Sequence, residues 1–270
     1  MSAPRRLSPR SLLFLPASNP RAVAKARMLK ADCVVLDLED AVPRSDKAAA
    51  RAAAVAAVAE GFGPRLTAIR INGVADGEHT DDLEAVAASV ADYVVLPKVE
   101  NASDAAVVGS ACRRPVLAMI ETPPGVLAAA EIAEVAAVHG LIAGVNDLRA
   151  SLGIPAGADR AGVALALQTV VLAARASGGW AIDGVFNLLD DTDGLVAECR
   201  AGRDMGFDGK SLIHPGQVDA CNRAFGPSDA EVEDARALLA AATDGAERFR
   251  GRMIEAMHVA QAQAVVARVR

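Results

Sequence analysis

The sequence predicts a (β/α)8 TIM barrel with additional C-terminal helices. Two observations support this prediction: short apolar runs recur along the chain, and Ala-rich segments separate them. Most runs are apolar on both faces, which is typical of a parallel sheet covered by helices. Alternation of strand and helix, repeated eight times, is the pattern of this barrel. The predicted strands are residues 11–16, 33–39, 66–72, 93–99, 115–121, 141–147, 180–185 and 207–213.

The Ala-rich segments between the runs have the composition of helices. The clearest are residues 21–30, 45–60, 80–91, 125–138, 161–177 and 193–205. A doubly wound sheet is the alternative architecture, but it usually has fewer strands and a Gly-rich first turn. The stretch "FLPASNP" after the first strand has no glycine, so the sequence lacks a dinucleotide-binding fingerprint.

The sequence after His214 predicts closing helices, the clearer of which covers residues 228–243. No Gly/Ser-rich linker separates them from the barrel. We therefore expect a catalytic TIM-barrel domain over residues 1–225 and a helical extension over residues 226–270. The extension is expected to pack on the barrel or on a neighbouring subunit.

Composition excludes several classes of function. A net charge of -6 argues against a nucleic-acid partner, and 3% aromatic residues leave few stacking surfaces. The apolar runs are too short for a signal sequence or a membrane span. We therefore expect a cytoplasmic protein that contacts neither nucleic acid nor membrane. The cysteines, which form no C-x-x-C pair and indicate a reducing compartment, are Cys33, Cys112, Cys199 and Cys221.

Polar residues gather where the predicted strands end, on the face of a barrel that carries the active site. Acids gathered this densely repel one another unless they are paired or hold a cation. A single acid after a strand is more often a helix cap, so each residue needs its own evidence. In chain order these residues are Asp37, Glu39, Asp40, Arg70, Asn72, Lys98, Glu100, Glu121, Asn146, Asp147, Asp183, Lys210 and His214.

Glu121 and Asp147 have the strongest functional claim among these acids. In "AMIETPPGV" the sequence Thr-Pro-Pro-Gly follows Glu121 and fixes a rigid turn. Asp147 follows a run that ends abruptly, and Gly144 there allows close approach of the backbone. Two carboxylates on adjacent strands, with water in the other positions, form an oxygen site suited to Mg²⁺. The histidines are scattered, so a His-rich catalytic zinc site is not expected.

Arg70 next to such a metal can bind a substrate carboxylate through two parallel hydrogen bonds. An ion pair with one of the three acids after strand two is an equally open alternative. Lys98 or Lys210 as a Schiff-base nucleophile requires a desolvated, uncharged amine. Because several acids lie on the same rim, ion pairing is the favoured prediction for both lysines.

Eight stretches form an ordered set of motifs between Arg10 and Gln217, and a ninth, weaker motif is "GRMIEAMHVAQA". They are "RSLLFLPASNPRAVAKA", "DCVVLDLEDAVPRSDKAAAR", "IRING", "VLPKVE", "AMIETPPGV", "GVNDL", "AIDGV" and "GKSLIHPGQV". In this order they resemble the motifs of the citrate lyase β-subunit-like proteins, within the HpcH/HpaI aldolase and citrate lyase family. No single motif is specific, but the ordered set is.

The resemblance implies a Mg²⁺-dependent barrel that cleaves or forms a carbon–carbon bond in a 3-hydroxyacyl-CoA, such as citramalyl-, malyl- or citryl-CoA. Oxaloacetate, glyoxylate or pyruvate would be the keto product, next to acetyl-CoA. The resemblance also implies a homotrimer or hexamer.

The same resemblance implies roles for individual residues. Glu121 and Asp147 would be the metal ligands, and Arg70 would clamp the carboxylate of the keto acid. The remaining catalytic candidates, which would orient Arg70 and metal-bound water or carry a proton, are Asp37, Glu39 and Asp40.

Substrate contacts are predicted at three further places. The first is Lys98, and the second is the turn after Glu121, with Pro124 and Gly125. The third is the first helix. Phosphates of CoA favour basic residues near the rim, so Arg21 and Lys25 after strand one are candidates, although both are equally well explained as exposed helix charges.

The cleavage requires a general acid or base for the enolate of the departing thioester. In several longer relatives this group is an acid on a C-terminal extension from a neighbouring subunit, and the sequence ending at Arg270 predicts no such lid. Two other functions stay open. One is a CoA-independent class II aldolase acting on a hydroxy-keto acid, and the other is a keto-acid-binding subunit that works with an acyl-carrier protein.

Overall fold

The computed structural model of the protein describes residues 7–155, 157–242 and 247–269. These residues form two compact units, which are Ser8–Asn222 and a second unit built mainly from residues 223–269. The first unit contains a closed barrel of parallel strands in chain order, which confirms the predicted (β/α)8 fold. The strands are β1 (Ser11–Pro16), β2 (Cys33–Asp37), β3 (Leu66–Arg70), β4 (Tyr93–Leu96), β5 (Val116–Ile120), β6 (Val138–Ala143), β7 (Trp180–Asp183) and β8 (Gly209–Leu212).

Helices connect the strands, and some of them begin at a residue whose side chain accepts an N–H group of the first turn. The side chain of Asn19 accepts the N–H of Ala22 at the start of the first helix, and Asn101 caps the fourth in the same way. Among the described residues, no helix combines the length and the apolarity needed to cross a bilayer. The helices that begin in this unit are α1 (Pro20–Ala26), α2 (Lys47–Glu60), α3 (His79–Ala88), α4 (Ala102–Cys112), α5 (Pro123–Leu127), α6 (Ala129–Glu134), α7 (Val145–Ser151), α8 (Ala164–Ala176), α9 (Thr192–Met205) and α10 (Val218–Phe225).

Alternate residues of the strands fill the interior of the barrel. Leu12 pairs with Cys33 of β2, and the pairing of Ser11 with Lys210 closes the barrel onto β8. Each fully buried Leu or Ile side chain contributes about 2 kcal/mol through its removal from water. The interior cluster consists of Leu12, Cys33, Val35, Ala68, Tyr93, Val95, Leu117, Met119, Ile142, Trp180 and Ile182.

The sixth strand lies earlier in the chain than the sequence predicts. It is Val138–Ala143 rather than 141–147, and helix α7 begins at Val145. The apolar run "LIAGV" crosses this boundary, so hydrophobicity alone does not show where the strand ends. Gly144 occupies the N-cap position of α7. Asp147 is therefore in the first turn of a helix and not at the end of a strand.

The second unit contains α11 (Asp229–Ala241), β9 (Glu247–Phe249), β10 (Arg252–Ile254) and α12 (Ala256–Ala267). Ser228 caps α11 in a reciprocal pair with Glu231, which confirms the predicted helix start, while residue 243 lies outside the described residues. The antiparallel pair β9–β10 was missed, because a strand of three residues is too short to show a period. The boundary at 225/226 and the packing of the extension stay predictions.

Candidate active site

A cavity of about 380 Å³ opens at the carboxyl ends of the barrel strands. Arg70, Glu121 and Asp147 line it together. Phe14 and Met119 supply apolar surface. The structure thus brings three predicted site residues to one cavity of a size that suits a small ligand.

Asp37 fixes the orientation of Arg70. Its Oδ1 accepts a hydrogen bond from Nε of Arg70 at 2.7 Å, and its Oδ2 accepts one from Nη2 at 2.6 Å. The carboxylate also accepts the backbone N–H groups of Glu39 and Ala41, at 2.9 and 3.2 Å. A carboxylate has roughly four acceptor positions. Because all of them are used and Asp37 is buried, this residue holds the guanidinium and has no position left for a ligand.

Arg70 is held by acids on one side and lines the cavity on the other. Its Nη1 lies 2.9 Å from Oε2 of Glu39, and its guanidinium carbon lies 5.4 Å from the ring centroid of Phe14. Burial lowers the pKa of Arg70, but the bond to Asp37 and the neighbouring acids raise it above its ordinary value. The ion pair and the carboxylate clamp are therefore compatible, since Asp37 uses only two of the five N–H groups of Arg70, one on Nε and one on Nη2.

Glu39 lies between two cations. Its Oε1 is 2.5 Å from Nζ of Lys98, which confirms the predicted ion pairing of this lysine. Burial raises the pKa of Glu39 above its ordinary value, although Arg70 and Lys98 lower it. Asp40 lies 3.9 Å from both cations, and its side chain is 61% exposed. Asp40 is thus the acid of this cluster that a ligand reaches most easily.

Glu121 is a buried carboxylate directly after β5. Its Oε1 accepts the backbone N–H of Lys98 at 2.8 Å. A Cβ atom at residue 144 would lie 2.2 Å from Oε2, so glycine there leaves the carboxylate its space. Burial raises the pKa of Glu121 to about 7, and the charges of Glu39 and Asp147 add to the rise.

The carboxylates of Glu121 and Asp147 fit a hard divalent cation. A cation held by both would offset the burial of Glu121 and the repulsion from Asp147, which together raise the pKa of Glu121. Within the described ranges, no three His, Cys, Asp or Glu side chains gather around one point. A cation held by these two carboxylates would complete its coordination with other oxygens, as is usual for Mg²⁺, which keeps several waters.

Five predicted substrate-binding residues are absent from the walls of this cavity, and one of them, Lys98, lines a second cavity. Arg21 and Lys25 are exposed on α1, and Pro124 is exposed on α5. Gly125 is buried, and a Cβ atom there would lie 2.3 Å from the carbonyl oxygen of Val99. This close approach explains the glycine by packing. The binding roles of these residues stay predictions.

Asp183 and Lys210, which the sequence places at the rim, lie instead on the outer side of the barrel wall. Nζ of Lys210 is 2.9 Å from Oδ2 of Asp183 and 2.6 Å from Oε1 of Glu198 on α9. Side chains alternate along a strand, and Ile182 faces the interior, so Asp183 points outward. The rim placement is wrong for both residues, whereas the predicted ion pairing of Lys210 is confirmed.

A second cavity, of about 900 Å³, shares Asp40 with the first. Lys47 lies in its wall and is buried. Its Nζ donates to the carbonyl oxygens of Leu38 and Glu39 and to Oδ1 of Asn72, each at 2.7 Å. Lys47 therefore fixes the loop that carries Glu39. Sequence reasoning missed it because a lysine at the start of an Ala-rich helix is usually a surface charge.

Ser211 is another residue that sequence reasoning missed. It is 2% exposed and lines the smaller cavity, and its Oγ has no hydrogen-bond partner among the described residues. Buried hydroxyl groups are usually paired, so this one is available to a ligand or to water. Its position next to the outward-facing Lys210 is the signal that could have found it.

Comparison with known proteins agrees with this fold. The profile of the HpcH/HpaI aldolase/citrate lyase family matches residues 10–215. The chain belongs to this family, as the ordered motifs predicted.

Individual relatives resemble the chain over almost its whole length. A (3S)-malyl-CoA thioesterase of Cereibacter sphaeroides is 41% identical over 96% of this chain and 94% of the relative. A citrate lyase subunit beta-like protein of Mycobacterium tuberculosis is 37% identical over 95% of this chain and 94% of the relative. The crystal structure of M. tuberculosis CitE in complex with magnesium, acetoacetate and coenzyme A has a TM-score of 0.82 at 35% identity, covering 96% of this chain and 97% of that chain.

Proposed function

We propose that the protein is a Mg²⁺-dependent carbon–carbon lyase. It would cleave or form a 3-hydroxyacyl-CoA thioester such as malyl-, citramalyl- or citryl-CoA, with a keto acid and acetyl-CoA as the cleavage products. The observation that carries this proposal is the convergence of Arg70, Glu121 and Asp147 on one cavity of about 380 Å³. The solved relative with magnesium, acetoacetate and coenzyme A supports the same classes of ligand.

Each residue has a distinct role in this proposal. Glu121 and Asp147 hold the cation, which when bound stabilises oxygens that gain negative charge during the reaction. Arg70 binds the substrate carboxylate through a planar guanidinium that can donate two parallel hydrogen bonds. Asp37 fixes that guanidinium in advance, so little reorganisation is needed when the ligand binds.

Asp40 is the best-placed acid for proton transfer, since it could protonate the thioester enolate in cleavage or take the α-proton of acetyl-CoA in the reverse direction. Asp37 has no free acceptor position, and Glu39 is held between Lys98 and Arg70. Asp40 is the exposed member of the cluster and lines both cavities. It can therefore contact a ligand in either cavity and exchange protons with water.

The test is product analysis with (3S)-malyl-CoA and citramalyl-CoA, each with Mg²⁺ and with EDTA. Metal-dependent release of acetyl-CoA with an equal amount of glyoxylate or pyruvate would support the lyase. Turnover of a free hydroxy-keto acid, with all thioesters inert, would support the CoA-independent aldolase. Binding of a keto acid without turnover until an acyl-carrier protein is added would support the complex subunit.

Thioester hydrolysis is a second candidate function, favoured by one comparison. The relative named (3S)-malyl-CoA thioesterase is 41% identical over 96% of this chain. Hydrolysis would release malate and the free thiol of CoA, whereas carbon–carbon cleavage leaves the thioester intact in acetyl-CoA. A thiol reagent added to the same reaction therefore separates the two activities.

We also propose a homotrimer or hexamer in the cytoplasm. Leu165 and Leu172 on α8 are 83% and 65% exposed, and Leu127 on α5 is 89% exposed. Large exposed apolar side chains favour burial between subunits. The cysteines are buried free thiols, which fits a reducing compartment. Size-exclusion chromatography with light scattering tests the assembly, and a mass of 27.7 kDa would show a monomer and refute it.

A further inference from the structure

Lys98, in the loop after β4, has a left-handed backbone with φ of +51°. Residues with a Cβ atom adopt this conformation unfavourably. Arg113 and Arg250 also have positive φ, but Arg113 ends α4 and Arg250 lies in the β9–β10 turn, where such backbone is common. Lys98 lies at neither kind of site, so other contacts must explain its conformation.

The left-handed residue interrupts the ladder between β4 and β5. At the start of this ladder the N–H of Val94 donates to the carbonyl oxygen of Pro115 at 3.0 Å. A regular ladder repeats every two residues and would bring the N–H of Lys98 to the carbonyl oxygen of Met119. Instead the N–H of Val99 occupies that position, at 3.2 Å. Lys98 is thus an extra residue, as in a β-bulge, and its N–H is released from the sheet.

The released N–H binds the proposed metal ligand. It donates to Oε1 of Glu121 at 2.8 Å. On the other side of the carboxylate, Oε2 lies next to Gly144. Glu121, which lines the cavity, is therefore confined between an N–H donor and a glycine.

The same extra residue turns the lysine side chain toward β2. Tyr93 and Val95 face the barrel interior, so regular alternation would point Lys98 outward. The bulge reverses this direction, and Nζ reaches Oε1 of Glu39 at 2.5 Å. Burial lowers the pKa of Lys98, but the bond to Glu39 and the nearby acids raise it above its ordinary value, so the side chain is an ammonium.

We infer that Lys98 is a positioning residue that links the two groups of acids in the site. Its left-handed backbone aims one N–H at Glu121 and, at the same time, its ammonium at Glu39. One residue thereby fixes the proposed metal ligand relative to the acids around Arg70. The inference rests on the proposed function, and it differs from a substrate contact because Lys98 acts through the carboxylates.

Packing of the loop is the competing explanation. The carbonyl oxygen of Val99 lies 2.3 Å from the point that a Cβ atom of residue 125 would occupy, so the loop is pressed against α5. If packing alone required the left-handed backbone, substitutions of Lys98 would change the stability but not the affinity for metal. The test therefore measures metal affinity without turnover, next to the free energy of unfolding.

Lys98→Gly and Lys98→Ala form a matched pair in the full-length protein. Both lose the ammonium and keep the N–H, but only glycine adopts the left-handed backbone readily. Mn²⁺ affinity is measured by electron paramagnetic resonance, and Mg²⁺ affinity by competition. We expect the Mn²⁺ affinity of Lys98→Gly to lie within about threefold of that of the parent protein. The affinity of Lys98→Ala should be roughly tenfold weaker, as is usual when a residue that hydrogen-bonds to a metal ligand is disturbed. Turnover of Lys98→Gly should fall about tenfold with metal bound, because Glu39 has lost one of its two cationic partners and keeps only Arg70.

Arg113→Gly and Arg113→Ala provide the control, because Arg113 is also left-handed but ends α4. Both should keep the Mn²⁺ affinity of the parent protein. If circular dichroism shows that Lys98→Ala does not fold, Lys98→Asn and Lys98→Gln replace the pair, since asparagine tolerates left-handed backbone better than glutamine.

Equal Mn²⁺ affinity in the parent and in both variants of the pair would overturn the inference and leave the metal site intact. Full turnover by Lys98→Gly would overturn the role of the ammonium. A parent protein that binds no Mn²⁺ would overturn the proposed function and the inference together.

Discussion

Gly144 sets the space available to Glu121, and Gly144→Ala tests this geometry. A Cβ atom at residue 144 would lie 2.2 Å from Oε2 of Glu121 and 2.3 Å from its Cβ. Rotation of the side chain can move Oε2, but the Cβ of Glu121 is fixed to the end of β5, so a backbone shift is needed. The φ of Gly144 is -93°, which any L-residue adopts. The effect would therefore come from the contact and not from backbone strain.

The size of the effect follows from these distances. Carbon atoms in contact lie about 3.5–4.0 Å apart, so relief of the 2.3 Å contact requires a movement of more than about 1 Å. Misplacement of a catalytic group by about 1 Å lowers the rate about 100-fold, which corresponds to about 2.7 kcal/mol. Overpacking should also lower the free energy of unfolding by roughly 1–3 kcal/mol.

The assay compares kcat/KM for thioester cleavage, Mn²⁺ affinity and urea unfolding in Gly144→Ala and the parent protein. Gly77→Ala is the matched control, because a Cβ atom there meets no other atom within 4 Å. We expect the control to match the parent in all three measurements. A folded Gly144→Ala variant with parental Mn²⁺ affinity and kcat/KM would refute the argument that residue 144 confines the Glu121 carboxylate.

Three further predictions concern metal dependence, a buried cation and acid stability. Glu121→Ala should abolish Mg²⁺-dependent turnover without unfolding the barrel, as measured by product release and circular dichroism; parental activity would show the metal assignment to be wrong. Lys47→Met removes an ammonium that donates to three acceptors. The carbonyl oxygens of Leu38 and Glu39 keep other donors, but Oδ1 of Asn72 loses its donor. The free energy of unfolding in urea should therefore fall by about 1–3 kcal/mol, and no change would show that the loop does not depend on Lys47. Burial raises the pKa of Asp183, but Lys210 and Arg160 outweigh this and lower it below the unfolded value of about 3.9. The stabilising contribution of Asp183 is therefore present above about pH 4 and is lost as the pH falls through its folded pKa. Between about pH 5 and pH 2, the free energy of unfolding of Asp183→Asn in urea should fall less than that of the parent protein. An equal fall would contradict this assignment.

The barrel could be predicted from the sequence because its strands are buried on both faces and its connections are Ala-rich helices. The boundary of β6 could not, since the same apolar run continues from a strand into helix α7. The β9–β10 pair could not either, because two strands of three residues carry no period. Hydrophobic patterning thus reports burial more reliably than it reports the type of element.

The grouping of site residues at the barrel mouth follows from strand alternation. The interior residues Val35, Ala68 and Met119 are each followed two positions later by a polar site residue. These polar residues are Asp37, Arg70 and Glu121. Side chains two positions apart share a face, so all three point into the mouth of the barrel. Asp183 is one position after the interior residue Ile182 and points to the helices instead.

Counting in twos from an interior residue separates the mouth residues from Asp183, but strands that are apolar on both faces do not show in the sequence which residue is interior. The same count is wrong for Lys98, because the extra residue after β4 reverses it. The sequence "VVLPKVE" does not indicate this extra residue, because the regular strand pattern already ends at Pro97. The ion pairing of Lys98 could be predicted from the surplus of acids. The hydrogen bond from its backbone N–H to Glu121 could not, because it depends on a left-handed backbone that composition and periodicity do not encode.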